Sequence, residues 1–469
     1  MNLLKYIKPA LINRTLLLTL LSASLCILFW RVTGLLLPFA FIPFFYLLYE
    51  EKNLSKAFLS SLIFSLFSLV LFNWVWGYKP AIYVLTAIIN LTFFSVFGLL
   101  SVYLLNKISS LKYFIFPAVW VFIMAFMSIL YHGDFLMEYS IALPVPQLLF
   151  SIIGARGMTF LFILINSLFA YSLHKKSRKI FLITAAILIG IILLSPVHLV
   201  RLKRQESIQV AAVQGNFPET WSWRKKFVNE IIGTYTELSK SARQNDIIIW
   251  PEYAIPVDFI NYRANIRKSI QSLAKELGSY LVTGSVDYNA ATDDHEDIAL
   301  VFSPDGALSG RYSSVSPFYF NEHTKASKSS PLPVSINRHK VAILICAEEL
   351  RPDLVRRYCN RSAEYIISLV NNQNMAWGMI QTSMFSRVRA MESFRYVIRA
   401  SNNGITQIVD PYGRRDAVES HKRRILEGTV IPLSHRTFYT IFGNLLLNLF
   451  ITVLCITWLL PYLKKIRGE

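Results

Sequence analysis

The sequence predicts a membrane α-helical protein, with about eight transmembrane helices, that carries a layered α/β domain. Three observations predict it. Hydrophobic residues make up 54% of the 469 residues and charged residues only 16%, whereas soluble domains carry roughly 25% charged residues. Seven apolar stretches of near-spanning length crowd into the first 200 residues. Beyond residue 205 the acidic residues gather, and short β-branched runs alternate with amphipathic stretches.

A bilayer core takes about 20 mainly apolar residues per helix. Such stretches lie at 12–30, 34–49, 57–77, 82–106, 113–131, 157–174 and 179–198, with a last one at 441–462. The expected organisation is therefore a membrane domain over 1–200, a polar domain over 205–435 and a C-terminal transmembrane helix over 441–462. Lys5, Lys8 and Arg14 precede the first span, and no small-residue cleavage site follows it, so it reads as an uncleaved helix. Eight spans leave both termini on one side. That side collects Lys52, Lys56, Lys107, Lys112, Lys175, Lys176, Arg178, Lys179, Lys464, Lys465 and Arg467, whereas the opposite loops are poor in cations. The excess of Lys and Arg assigns the termini to the cytoplasm and the 205–435 domain to the far side of the membrane.

The net charge of +19 is spread beside apolar segments and not gathered in one tract. This fits headgroup contact and cytoplasmic loops, and excludes a nucleic-acid-binding protein as the first reading. Four cysteines are present. Cys26 and Cys455 fall inside spans as packing residues, and an oxidising compartment would permit a disulfide between Cys346 and Cys359. No Cys-x-x-Cys or Cys/His spacing indicates a metal.

Within the polar domain, strands are expected at 207–214, 246–250, 280–286, 297–303, 341–346, 364–370 and 405–410. Helices are expected at 222–244, 262–277, 351–358 and 381–400, with 287–340 mostly loop. Two of these strands end on reactive groups: Ile247-Ile-Ile-Trp-Pro-Glu252 and Val341-Ala-Ile-Leu-Ile-Cys346. Open α/β sheets place active sites at the carboxyl ends of strands. A cysteine nucleophile needs a base or a lowered pKa, and Glu252 is a candidate base. Spacing alone also fits a core cysteine and a surface glutamate. Arg387, Arg389 and Arg395 read as a solvated or ion-paired helix face. Asn402-Asn403-Gly404 reads as a turn, and Trp30, Trp74, Trp76 and Trp120 as interfacial anchors and packing.

Longer motifs add a resemblance. Val213-Gln-Gly-Asn216, Trp250-Pro-Glu252, Gly310-Arg-Tyr312, Ile345-Cys346, Asn371 to Trp377, Arg387-Val-Arg-Ala-Met-Glu392, Arg399-Ala-Ser-Asn-Asn-Gly-Ile-Thr406 and Asp410-Pro-Tyr-Gly413 resemble the carbon–nitrogen hydrolase (nitrilase) superfamily. With the apolar spans, the chain resembles the apolipoprotein N-acyltransferase family. The resemblance implies an α-β-β-α sandwich and a Glu–Lys–Cys triad without a cofactor. It also implies a two-step reaction, in which an acyl chain passes from a phospholipid to the cysteine and then to the N-terminal amine of a diacylglyceryl-modified lipoprotein. The implied location is the bacterial inner membrane, with the enzyme domain on the periplasmic side. Cys346 matches the nucleophile, Glu252 the base, and Glu348, Glu322 and Trp223 supporting site residues. The family lysine, counted from Tyr312 or back from Glu322, falls on Ser314. Lys325 and Lys328 are the nearby cations that would have to replace it. The retained Cys346 and Glu252 imply an acyltransferase. Ser314 leaves open a non-catalytic relative that binds lipid or lipoprotein, or an acyltransferase or amidase with another acceptor.

Overall fold

The computed structural model describes residues 9–467, except 33, 132–146, 195–205, 223, 262–263, 318–323, 373–374 and 376–377. The chain divides into two compact units: the helices up to residue 197 together with the segment from Asn444 onward, and His198–Gly443 with a short excursion at 131–133.

In the helical unit, Arg14–Arg31, Leu54–Leu71, Pro80–Lys107 and Gln147–His174 are long and apolar enough to cross a membrane. Shorter apolar helices cover Gly34–Glu50, Lys112–Ser128 and Leu445–Pro461. The expected span at 179–198 is helical over Arg178–Leu193. The expected span at 57–77 is not one rod. It breaks into Leu54–Ser65, Phe67–Leu71 and Trp74–Tyr78. At the first break the Ser65 and Ser68 hydroxyls donate to the carbonyls of Leu62 and Ser65, competing with the helical ladder and bending it. Of the tryptophans expected as anchors and packing, Trp120 is a packing residue: it is fully buried, with Phe41, Phe93 and Phe97 edge-on at 5.2–5.3 Å. Asn166 ties helices together from inside, accepting from Phe41 N and donating to the Leu37 carbonyl at 2.9 Å each.

The second unit contains two six-stranded sheets. The strands are β1 Ile208–Gln214, β2 Ile247–Ile249, β3 Tyr280–Asn289, β4 Asp294–Phe302, β5 Leu308–Ser313, β6 Val334–Ile336, β7 His339–Ile345, β8 Tyr365–Val370, β9 Val397–Ser401, β10 Thr406–Val409, β11 Arg415–Val418 and β12 Arg424–Val430. Their order is β12-β1-β2-β3-β4-β5 in one sheet and β11-β10-β9-β8-β7-β6 in the other. The central pairs β1–β2, β2–β3, β7–β8 and β8–β9 are parallel. Side-chain alternation splits each strand between two cores. Val210, Ala212, Ile247, Ile249 and Val282 face the other sheet and its Val341, Ile343 and Ile367. Ala211, Val213, Ile248 and Leu281 pack on helices Val228–Ser241 and Ala264–Leu277. The second sheet's helices, Pro352–Asn360 and Gly378–Ser393, contribute Leu354, Val355, Tyr358 and Ala390 to the first core. This is the α-β-β-α sandwich.

Two expectations are corrected. The segment 287–340 holds more strand than the single one expected at 297–303, since β3 runs on to Asn289, β4 starts at Asp294, and β5 and β6 follow. The stretch 381–400 is not one helix. The helix ends at Ser393, Phe394 adopts a left-handed φ of 54°, and Val397–Ser401 is a central strand. Its hydrogen bonds to β8 and β10 outweigh local helical periodicity.

Candidate active site

The β2 and β7 strands deliver Glu252 and Cys346. Trp250 continues β2: its N donates to the Val282 carbonyl at 2.8 Å and its indole to Ser239 Oγ at 2.7 Å. Pro251 and Glu252 then pass directly over Gly284 of β3, where a Cβ would lie 2.6 Å from Glu252 Cα and 2.7 Å from the Pro251 carbonyl. Only glycine permits that approach. Cys346 follows β7 and opens the 3-10 turn Cys346–Leu350. Cys346 and Tyr253, the residue after Glu252, both hold left-handed φ, 51° and 56°. Such strained backbone persists only where its surroundings impose it, and it gathers at functional sites.

Glu252 stands near enough to the thiol for its carboxylate to act on it. Cys346 keeps partial exposure, while Glu252 is 6% exposed. Burial, then the charges of Glu252 and Asp297, push the thiol well above its usual range. None of its strongest influences is a cation.

Glu348 is fully buried and acts as a clasp. It accepts from Tyr312 Oη at 2.8 and 2.9 Å, Ser314 Oγ at 3.0 Å, Val315 N at 2.8 Å, Ser316 N at 3.1 Å and Ile345 N at 2.9 Å. Burial raises its pKa against the pull of these donors. Ser314, also fully buried, thus lies in the site, bonded to Glu348 and through its N to the Asp297 carbonyl at 2.8 Å.

Lys325 does not replace the ammonium. Its side chain is 56% exposed and pairs with Asp294 at 3.4 Å. Lys328 is exposed as well. Trp223 and Glu322 lie outside the described residues. Cys346 and Cys359 are both free thiols, so the disulfide that an oxidising compartment would permit is not formed.

Four further residues join the site that sequence reasoning did not single out. Asp297 on β4 is 5% exposed and accepts from Tyr253 Oη at 2.6 Å. His295 Nε2 lies 3.5 Å from the same oxygen. Burial pushes the Asp297 carboxyl up to about 7; the Tyr253 bond opposes that rise and the Glu348 charge adds to it. Glu349 meets Arg399 Nε at 3.1 Å and Ser386 Oγ at 2.9 Å. Arg399 is fully buried and also donates to Asn372 Oδ1 at 2.8 Å and the Ile405 carbonyl at 2.7 Å. Of the arginines expected on a solvated or ion-paired face, Arg389 is buried in an ion pair with Glu392, whereas Arg387 and Arg395 donate to the carbonyls of Gly413 and Ala363. Asn402 is more than a turn residue: it clamps Phe217, accepting from its N at 3.0 Å and donating to its carbonyl at 2.8 Å.

Two stacked sheets thus bring a Cys and a Glu together at strand ends. Residues 209–429 match the Carbon-nitrogen hydrolase family model. Among similar curated proteins are apolipoprotein N-acyltransferases. That of Pseudomonas putida is 26% identical over 296 residues, covering 57% of this chain and 58% of the relative. That of Shewanella oneidensis is 25% identical over 334 residues, 63% of this chain and 62% of the relative. That of Geobacter metallireducens is 25% identical over 265 residues, 50% of each. The chain thus spans half to three-fifths of the length of these relatives. A solved carbon-nitrogen hydrolase from Helicobacter pylori G27 aligns with 48% of this chain and 90% of its own at 16% identity, with a TM-score of 0.42.

Proposed function

We propose that the chain is a membrane-bound N-acyltransferase that moves an acyl chain from a phospholipid through a Cys346 thioester to the N-terminal amine of a lipoprotein. The observation that carries this reading is the placement of the Cys346 thiol and the Glu252 carboxylate together at two strand ends, beside the strained backbone of Cys346 and Tyr253. The names of the relatives and the apolar helices support the acceptor and the lipid donor. In this reading Glu252 takes the thiol proton as Sγ bonds to the ester carbonyl carbon, and the carbonyl π pair moves to oxygen. Collapse re-forms the carbonyl, breaks the ester C–O bond and returns the proton from Glu252 to the departing lysophospholipid alkoxide. The acceptor amine then attacks the thioester carbon and gives a proton to Glu252, and the released sulfur recovers that proton. Direct deprotonation by Glu252 matters here, because the surroundings disfavour a free thiolate. Glu348 serves as a positioning residue, and Trp223 and Glu322 as supporting ones. By the charge pattern of the helices, residues 205–435 work on the extracytoplasmic side of the inner membrane.

The test is intact-mass analysis of the purified protein after incubation with phospholipid vesicles. Wild type gains one acyl mass, removable by hydroxylamine, and Cys346→Ala gains none. Equal masses for the two would sink the enzyme reading. Ser314, in the position the resemblance gives to lysine, favours a second reading: a relative that binds lipid or lipoprotein without turnover. That reading predicts vesicle binding with no adduct.

A further inference from the structure

Four carboxyl groups converge on the Cys346 turn, and like charges this close cannot all ionise. Three are accounted for. Glu349 is paired with Arg399. Glu348 is clasped by two hydroxyls and three backbone N–H groups. Glu252 faces the thiol as its base. Asp297 remains, on β4. It is held by the Tyr253 hydroxyl at 2.6 Å, with His295 Nε2 at 3.5 Å and itself in contact with Thr324 Oγ1 at 3.1 Å. Asp297 is also the backbone neighbour of Ser314 across β4 and β5, so a carboxyl stands beside the position where the resemblance puts an ammonium.

We propose that Asp297 is a catalytic residue that replaces the missing ammonium: as a neutral carboxylic acid beside the Tyr253 hydroxyl, it donates a hydrogen bond to the acyl carbonyl oxygen while Cys346 attacks. This rests on the acyl-transfer reading above and adds no new bond to it. The π pair that moves onto oxygen is met by the Asp297 O–H, which keeps its proton and releases the contact when the carbonyl re-forms. A buried carboxyl kept neutral is an effective donor to an oxyanion, and one such donor is worth roughly 100- to 1,000-fold in rate. The carboxyl titrates near neutrality, at about 7, raised first by burial. The groups facing it are Tyr253 and Glu252 from the turn after β2, Cys346 and Glu348 from the turn after β7, Ser314 beyond β5, and His295 on its own strand. The donor form is full below that pH and is lost as pH rises through it, so the rate falls on the alkaline side.

The experiment measures the initial rate of Cys346 thioester formation on the full chain with phospholipid vesicles, from about pH 5.5 to 9. Wild type loses about tenfold per pH unit above its alkaline break. Asp297→Asn, which keeps an N–H donor without the titration, is slower by about tenfold at pH 6 and shows no alkaline fall. Asp297→Ala is slower by about 100-fold. An infrared titration reads the same proton without turnover: a carboxylic-acid C=O band is present in wild type at pH 6, vanishes by pH 9 and is missing in Asp297→Asn. An Asp297→Ala rate equal to wild type, an alkaline fall that persists in Asp297→Asn, or no such band in wild type overturns the proposal while leaving the thioester intact. No adduct in wild type at any pH removes the acyl-transfer reading and this role with it.

Discussion

At the residue scale, Cys346 sits in a field that works against its thiolate: burial and the Glu252 carboxylate favour the protonated thiol, and Asp297 adds to them once it ionises. A cation at position 314 would reverse part of that field. Ser314→Lys places an ammonium where Ser314 Oγ now meets Glu348 Oε1 at 3.0 Å. The site is tightly filled, so the variant loses about 1–3 kcal/mol of stability to overpacking, seen as a lower melting temperature. Its thioester formation is nonetheless faster by about tenfold or more, and its alkaline fall is weaker, because the ammonium adds a donor that stays charged through the pH range. A variant that is folded but no faster than wild type would show that the missing lysine does not limit the rate. Cys346 and Glu252 were legible in the sequence because each ends an apolar run, and strand ends are where the chain leaves the core. Asp297 was not. It opens the run Ile298–Phe302 with the look of an ordinary strand-start carboxylate, and its placement beside Cys346 depends on how the two sheets stack.

At the element scale, the strands that sequence reasoning found are mostly the central ones, and β5, β6, β11 and β12, which it missed, are the four sheet edges. An edge strand pairs on one side only, and here β5 exposes three of its six residues and β11 three of its four, so they lack the β-branched density of β7 or β8. The one central strand missed was β9, read as the end of a helix over 381–400. Its Arg399 reaches back to Glu349 and so fixes the turn that carries Cys346. Removing one partner of a buried pair leaves an uncompensated charge and costs about 3–5 kcal/mol. Arg399→Met is therefore destabilised by about that amount in denaturant melts and forms the thioester more slowly. Adding Glu349→Gln to it recovers a large part of the lost stability, since the stranded carboxylate is gone. Additive losses in the double variant would show that the two residues act independently.

At the scale of the whole molecule, composition and hydropathy separated a helical part from a sandwich before any coordinates, because the two parts answer to different solvents. The breaks after Ser65 and at Phe72 were not legible, since serine hydroxyls bonding to local carbonyls leave no mark in hydropathy. The proposed orientation rests on one physical asymmetry: Lys and Arg are retained on the cytoplasmic side during insertion, and large domains cross with little regard for their own charge. The hairpin tip between β3 and β4 and the loop before the helix at Leu54 then lie on opposite faces of the membrane. Ala290 and Lys52 are both exposed, so a cysteine at either is open to a reagent that reaches its side. In intact cells with a permeabilised outer envelope, a membrane-impermeant maleimide labels Ala290→Cys and leaves Lys52→Cys unlabelled until the inner membrane is opened, in a background where Cys346 and Cys455 are replaced by Ala. The reverse pattern would put the Cys346 domain in the cytoplasm, where an extracytoplasmic lipoprotein amine cannot reach it. The proposed acceptor would then fall even if the Cys346 thioester stood.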